Sequence, residues 1–138
     1  MSIAACYSNM GNKEKAIYIT ESLVDSRKRA RTSEEDRANF FPALLFSLSN
    51  LYGQEGRIKE SIKACEQGLE VAREYNSLNF IPRLLHNLAT GLRRIGEEEQ
   101  IYKPHLIRAY HCAYAIGQTQ IAKGIKEDAE KRFNIVID

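Results

Sequence analysis

A chain that repeats itself at a fixed interval folds as copies of one unit, and this chain does so over its middle third. Residues 39–56 read NFFPALLFSLSNLYGQEG and residues 79–96 read NFIPRLLHNLATGLRRIG. Aligned without a gap, Asn39 falls on Asn79, Phe40 on Phe80, Pro42 on Pro82, Leu44 and Leu45 on Leu84 and Leu85, Leu48 on Leu88, and Gly56 on Gly96. The apolar residues Leu44, Leu45, Leu48, Leu51 and Tyr52 recur at steps of three and four, as do Leu84, Leu85, Leu88, Leu92 and Ile95. Such spacing draws one apolar stripe along an α-helix. Each copy carries its proline early, where a missing amide is least missed. Each ends near a glycine, the residue that takes the left-handed closing turn. The segment TSEEDRAN before Pro42 is helical in character, with Thr32 and Glu35 as a capping pair, so a helix is expected from near residue 33 with a bend at Pro42.

The stretch after Gly56, RIKESIKACEQGLEVAREYNS, places Ile58, Ile62, Cys65, Leu69 and Ala72 on one face with small Ser61, Ala64 and Gly68 beside them. A glycine inside a helix costs about 1 kcal/mol against alanine, so Gly68 marks a close helix contact. The unit is thus a helical hairpin. It recurs upstream at a shift of 45, with Tyr52 on Tyr7, Gly56 on Gly11 and Ser61 on Ala16. Downstream, KPHLIRAYHCAYAIG supplies the partner of the third unit after a longer turn, EEEQIY. The last helix, TQIAKGIKEDAEKRF, starts at Thr119 as its cap and carries Ile121, Ile125, Ala129 and Phe133 on one stripe. A two-helix repeat near 40 residues means an α-solenoid, because one hairpin cannot bury its apolar face and stacking can. The expected architecture is all-α: about three hairpins and a C-terminal capping helix in a single domain, 1–138. The first repeat starts with a shortened helix, so the chain reads as a fragment of a longer one.

Composition narrows the function. A net charge of +2 is too slight to suggest nucleic acid, and no apolar run approaches the roughly 20 residues of a membrane span. The basic cluster Arg27, Lys28, Arg29 and Arg31 precedes Glu34, Glu35 and Asp36, the order that a helix end followed by a helix start favours. Cys6, Cys65 and Cys112 are odd in number and widely spaced, a reduced, cytoplasmic pattern. His105, His111 and Cys112 match no metal-ligand spacing, and Glu97, Glu98 and Glu99 read as a solvated turn. No nucleophile setting or phosphate loop is present. The expectation is a non-enzyme with no cofactor or metal, no membrane and no direct nucleic-acid contact by this segment.

Opposite the leucines lies a second stripe. Ala43, Ser47, Asn50 and Gln54 are spaced i, i+4, i+7, i+11, and so are Arg83, Asn87, Thr90 and Arg94. A solvated face of this kind exists on any amphipathic helix. Here Arg83 and Arg94, with His86 and Arg93 on the flank, bias it toward carboxylates, which arginine binds in a fork.

The run LLFSLSNLYGQEGRIKESIKACEQGL resembles the tetratricopeptide repeat in the placement of its aromatic, its small residues and its turn glycine. The sequence departs from that pattern in its period of 40 to 45, its lack of tryptophan, and Leu92 where an aromatic is common. The resemblance implies that the polar stripes line a concave groove and that Asn50 and Asn87 grip a peptide backbone, since an amide offers both donor and acceptor. The lysines of the family's carboxylate clamp are missing, and Phe46 stands at one of their positions. The C-terminal part, YKPHLIRAYHCAYAIGQTQIAKGIKEDAEKRF, is similar to the closing part of bacterial helix-turn-helix regulators that sense peptides and dimerise through such repeats. That resemblance implies the sensor and homodimerisation part of a cytoplasmic transcriptional regulator, its groove residues being Asn50, Asn87, Arg83, Arg94, Ser47, Gln54, Thr90 and His86. The alternatives are a stand-alone scaffold for protein–protein interaction and a regulatory subunit for a response-regulator phosphatase.

Overall fold

The two copies of the leucine stripe become parallel helices, each burying its leucines against its neighbours in the stack. A computed structural model describes residues 13–29 and 34–138. They form six helices: α1 (Lys13–Arg29), α2 (Glu34–Gln54), α3 (Ile58–Glu74), α4 (Ile81–Arg94), α5 (Glu99–Ala115) and α6 (Thr119–Arg132). Each helix packs on the next, which gives the hairpins α2–α3 and α4–α5. Weaker contacts join α2 to α4 and α4 to α6, the alternate helices of the stack. The expected all-α solenoid is therefore present. The first twelve residues, where the first repeat begins, and the Thr32 cap lie outside the described residues, as do the side chains of the basic run.

The turns close as the glycines require. At Gly56, φ is +76°, and the Arg57 amide donates to the Tyr52 carbonyl while the Gly56 amide donates to that of Gly53. Gly96, with φ +89°, repeats the pattern through Glu97 and Leu92. These are Schellman closures, which need a left-handed residue and satisfy the last helical carbonyls. Asn76 performs the same task after α3.

Burial explains the stack. Leu45, Leu84 and Leu106 have no exposed surface, and Leu48, Leu85 and Leu88 have almost none. Burying one such side chain is worth about 1.5–3 kcal/mol. One cluster joins α1, α2 and α3; a second joins α3 to α6 and continues into the tail through Phe133, Ile135 and Ile137. Helix α3 belongs to both, and Gly68 is why it can. A Cβ there would lie 2.8 Å from Leu84 Cδ2 and 3.4 Å from Leu45 Cβ. The α3 backbone nests between a leucine of α2 and one of α4.

Two local expectations shift, and the tail adds a feature of its own. The turn before α5 is short, because the helix already starts at Glu99 and carries Pro104 inside it. Gln118, not Thr119, occupies the cap position of α6, and no side-chain bond caps the helix. The terminal IVID segment is extended: Ile135 and Ile137 are buried and Val136 is exposed, the alternation of a chain lying flat on a core.

Gly91 makes a tighter contact than Gly68, since a Cβ there would lie 2.7 Å from Ile62 Cγ1. Overpacking of this kind costs about 1–3 kcal/mol, against a helix-propensity gain of about 1 kcal/mol. Gly91→Ala is therefore expected to lower unfolding stability by about 1 kcal/mol. Gly124, in the exposed middle of α6 with open space around it, provides the contrast: Gly124→Ala is expected to raise stability by up to about 1 kcal/mol. Urea unfolding of both variants checks the pair of signs.

Candidate functional site: a polar cavity on the inner helices

Because α2, α4 and α6 alternate in the stack, their non-leucine faces meet along one side. Pairs across α2 and α4 rise together in number: Phe46 with Phe80, Asn50 with Asn87, Gly53 with Arg94. The two helices are therefore parallel and in register. The same holds between α4 and α6, where His86 meets Asp128 and Thr90 meets Arg132.

With Ile58 and Ser61 of α3 they line an open cavity of about 320 Å³, near the lower end of the roughly 300–1,000 Å³ of ligand sites. Six residues expected from the sequence line it: Asn50, Gln54, His86, Asn87, Thr90 and Arg94. Ser47 and Arg83 do not line it. Both sit one turn nearer the helix N-termini, and the Arg83 guanidinium lies over the Phe80 ring at 5.0 Å from its centre. Phe46 and Phe80 themselves pack with centroids 5.8 Å apart, so that turn of the face is partly apolar.

The cavity floor is a hydrogen-bond chain. Asn87 Nδ2 donates to Asn50 Oδ1 at 2.8 Å and to Ser49 Oγ at 2.9 Å. The Ser49 hydroxyl, almost wholly buried, donates to the Phe46 carbonyl at 2.7 Å. Ser61 Oγ donates to the Ser49 carbonyl at 2.7 Å and ties α3 to the same point. Behind them Cys65 has no exposed surface, and burial pushes its thiol up to about 12, with hydrogen bonding to Ser49 a smaller opposing influence. It is a packed thiol, not a nucleophile.

The rim is charged. Arg94 Nη1 donates to the Gly53 carbonyl at 3.0 Å, and no acidic partner meets this guanidinium among the described residues. Across from it, Arg132 and His86 line the cavity and both meet Asp128 outside the lining: its carboxylate accepts from Arg132 Nη2 at 2.7 Å, is also held by Arg132 Nε, and lies 2.6 Å from His86 Nε2. Arg132 reaches on to Thr90 Oγ1 at 3.3 Å. Partial burial acts to lift the Asp128 carboxyl, but the hydrogen bonds from Arg132 and His86 outweigh it and hold the group below the usual carboxylate range. No carboxylate lines the cavity.

Sequence reasoning missed Ser49, Ser61, Asp128 and Arg132. Ser49 sits inside a leucine-rich helical run, Ser61 reads only as a small residue at a helix contact, and nothing local marks either as polar floor. Asp128 and Arg132 lie on the helix expected to act only as a cover. In the His105–His111–Cys112 group, His105 Nδ1 is buried without a hydrogen-bond partner, and burial, then Arg108 and Arg73, push its pKa down. Among the described residues no three His, Cys, Asp or Glu side chains cluster as metal ligands. Nor is any helix among them long and apolar enough to cross a membrane.

The geometry defines a class: an antiparallel helical-hairpin array with a polar inner face, the tetratricopeptide-like solenoid. Residues 42–75 match the tetratricopeptide repeat family. Among solved structures the chain is similar to Bacillus thuringiensis PlcR, crystallised in complex with the peptide PapR7 and DNA. The TM-score is 0.80 at 19% identity, over 89% of this chain and 42% of PlcR, which establishes the shared fold. This chain thus spans less than half the length of PlcR. No curated protein sequence matches it significantly.

The depressed Asp128 gives a pH prediction. A carboxylate whose folded pKa lies below its unfolded value stabilises the fold fully above about pH 4 and loses that contribution as pH falls through the folded value. Wild type should melt higher than Asp128→Asn by a constant margin near neutrality. The margin should shrink as pH drops below about 4, measured by circular-dichroism melting across the range. A margin independent of pH would remove the ion-pair account.

Proposed function

We propose that this chain is a peptide-binding domain, and specifically the sensor and dimerisation part of a bacterial transcriptional regulator. The observation that carries the binding reading is the Asn50–Asn87 pair. Two amides on parallel inner helices meet at 2.8 Å on the floor of an open polar cavity, as a site for an extended backbone requires. The uncompensated Arg94 beside them favours a ligand carrying a carboxylate. The regulator reading is supported by the fold shared with PlcR, a protein solved with a peptide and DNA. In this account a peptide bridging α2 and α4 favours one curvature of the stack, and curvature is read at a surface between two copies.

A random heptapeptide display library panned on the immobilised chain tests the binding reading. Enriched peptides should bind wild type and lose at least about tenfold in affinity, or about 1.4 kcal/mol, on the Asn50→Ala, Asn87→Ala double variant. Enriched peptides that bind the double variant equally well would remove the groove assignment. The reading frame upstream of Met1 tests the regulator part, where a helix-turn-helix is expected. A scaffold for protein–protein contact is the reading that gains if that frame encodes none.

A further inference from the structure

The amides on the cavity floor are not free to present either end. Their polarity follows from one buried backbone carbonyl. The carbonyl of Phe46 can only accept, so the Ser49 hydroxyl 2.7 Å from it must donate its proton there. Ser49 Oγ can then only accept from Asn87, so Asn87 must turn its NH₂ toward it, at 2.9 Å. The second proton of that NH₂ points to Asn50 at 2.8 Å, so Asn50 must answer with its carbonyl oxygen. One donor, Asn50 Nδ2, and one acceptor, Asn87 Oδ1, are left without protein partners among the described residues.

We propose that Ser49 is a positioning residue that fixes the polarity of the Asn50–Asn87 pair, so that the pair offers an extended peptide ligand an acceptor on α4 and a donor on α2. An extended residue presents its own N–H and C=O along the same edge. Its N–H meets Asn87 Oδ1 on α4, and its C=O meets Asn50 Nδ2 on α2. A ligand residue offering its two groups the other way round sets carbonyl against carbonyl and N–H against NH₂. Ser61 is committed to the Ser49 carbonyl, and the buried Cys65 thiol meets Ser49 rather than either amide. This inference rests on the groove reading above, and the test separates the two.

The probe is a heptapeptide enriched from the random library by the wild-type chain, resynthesised with each backbone amide replaced in turn by an ester. The ester keeps the shape and removes one N–H. One position should lose about tenfold in affinity and the others little. Asn50→Asp retains the oxygen that accepts from Asn87 and loses only the donor offered to the ligand. It should keep the wild-type unfolding midpoint and bind the heptapeptide at least tenfold more weakly. Ser49→Ala should also weaken binding and should level the ester scan, because Asn87 is then free to turn over. A purely structural serine would lower affinity and leave the position-specific ester penalty in place, which would overturn the positioning role. An Asn50→Asp variant that binds as tightly as wild type would overturn the assigned polarity while the groove reading stands. If the library yields no heptapeptide that binds wild type, the groove reading falls and this inference with it.

Discussion

The contact of Leu84 with the bare backbone of Gly68 sets the spacing on which the rest of the molecule depends. Leu84 has no exposed surface, and its methyl groups fill the space that a Cβ on residue 68 would occupy. Leu45 Cβ of α2 lies 3.4 Å from the same position. Helix α3 therefore seats closely against the first helices of two successive hairpins at once. That close seat leaves α2 and α4 near enough for Asn87 to reach both Ser49 and Asn50. The leucine face and the amide face of each inner helix are thus two outcomes of one register. A slip of one residue would separate the amides and expose the leucines together.

The inner face is held by interactions of two kinds. Toward the helix N-termini, Phe46 and Phe80 pack ring on ring, with Arg83 over the second ring. Further along, the contacts become polar: the serine–asparagine chain, then the Arg94 bond to Gly53, then the His86–Asp128–Arg132 group that brings in α6. Most are side-chain bonds between helices far apart in sequence. They cost conformational entropy to form and hold only because apolar burial has already placed the helices. The polar chain is thus a consequence of the stack, and it converts a general helical packing into a cavity with a defined donor and acceptor.

Much of the fold was legible because it is written locally and twice. The stripe Leu84, Leu85, Leu88 and the closing Gly96 carry their own periodicity, and Gly68 announces a close contact by being a poor helix residue. Asn50 and Asn87 were legible because the gap-free alignment puts both opposite the leucines, although the facing pair is offset by 37 residues where the repeats are offset by 40. The rest was silent for physical reasons. Ser49 differs from a surface serine only in what a distant helix does above it. Asp128 and Arg132 acquire meaning through His86 and Thr90, more than forty residues away. Arg83 has the right helical phase for the cavity, yet the Phe80 ring, three residues before it, captures its guanidinium. The early start of α5 is hidden because Pro104 inside it reads as a boundary, while the charged turn before it reads as loop.

The central claim is that leucine packing brings the amide faces of α2 and α4 into contact. Nuclear Overhauser spectra of the ¹⁵N-labelled chain test it most directly. The account predicts cross-peaks from the two Asn87 side-chain amide protons to the Ser49 and Asn50 side chains, with contacts from the Leu84 methyls to the Gly68 α protons in the same spectrum. Asn87 amide protons that show only exchange with water, beside intact leucine contacts, would contradict it.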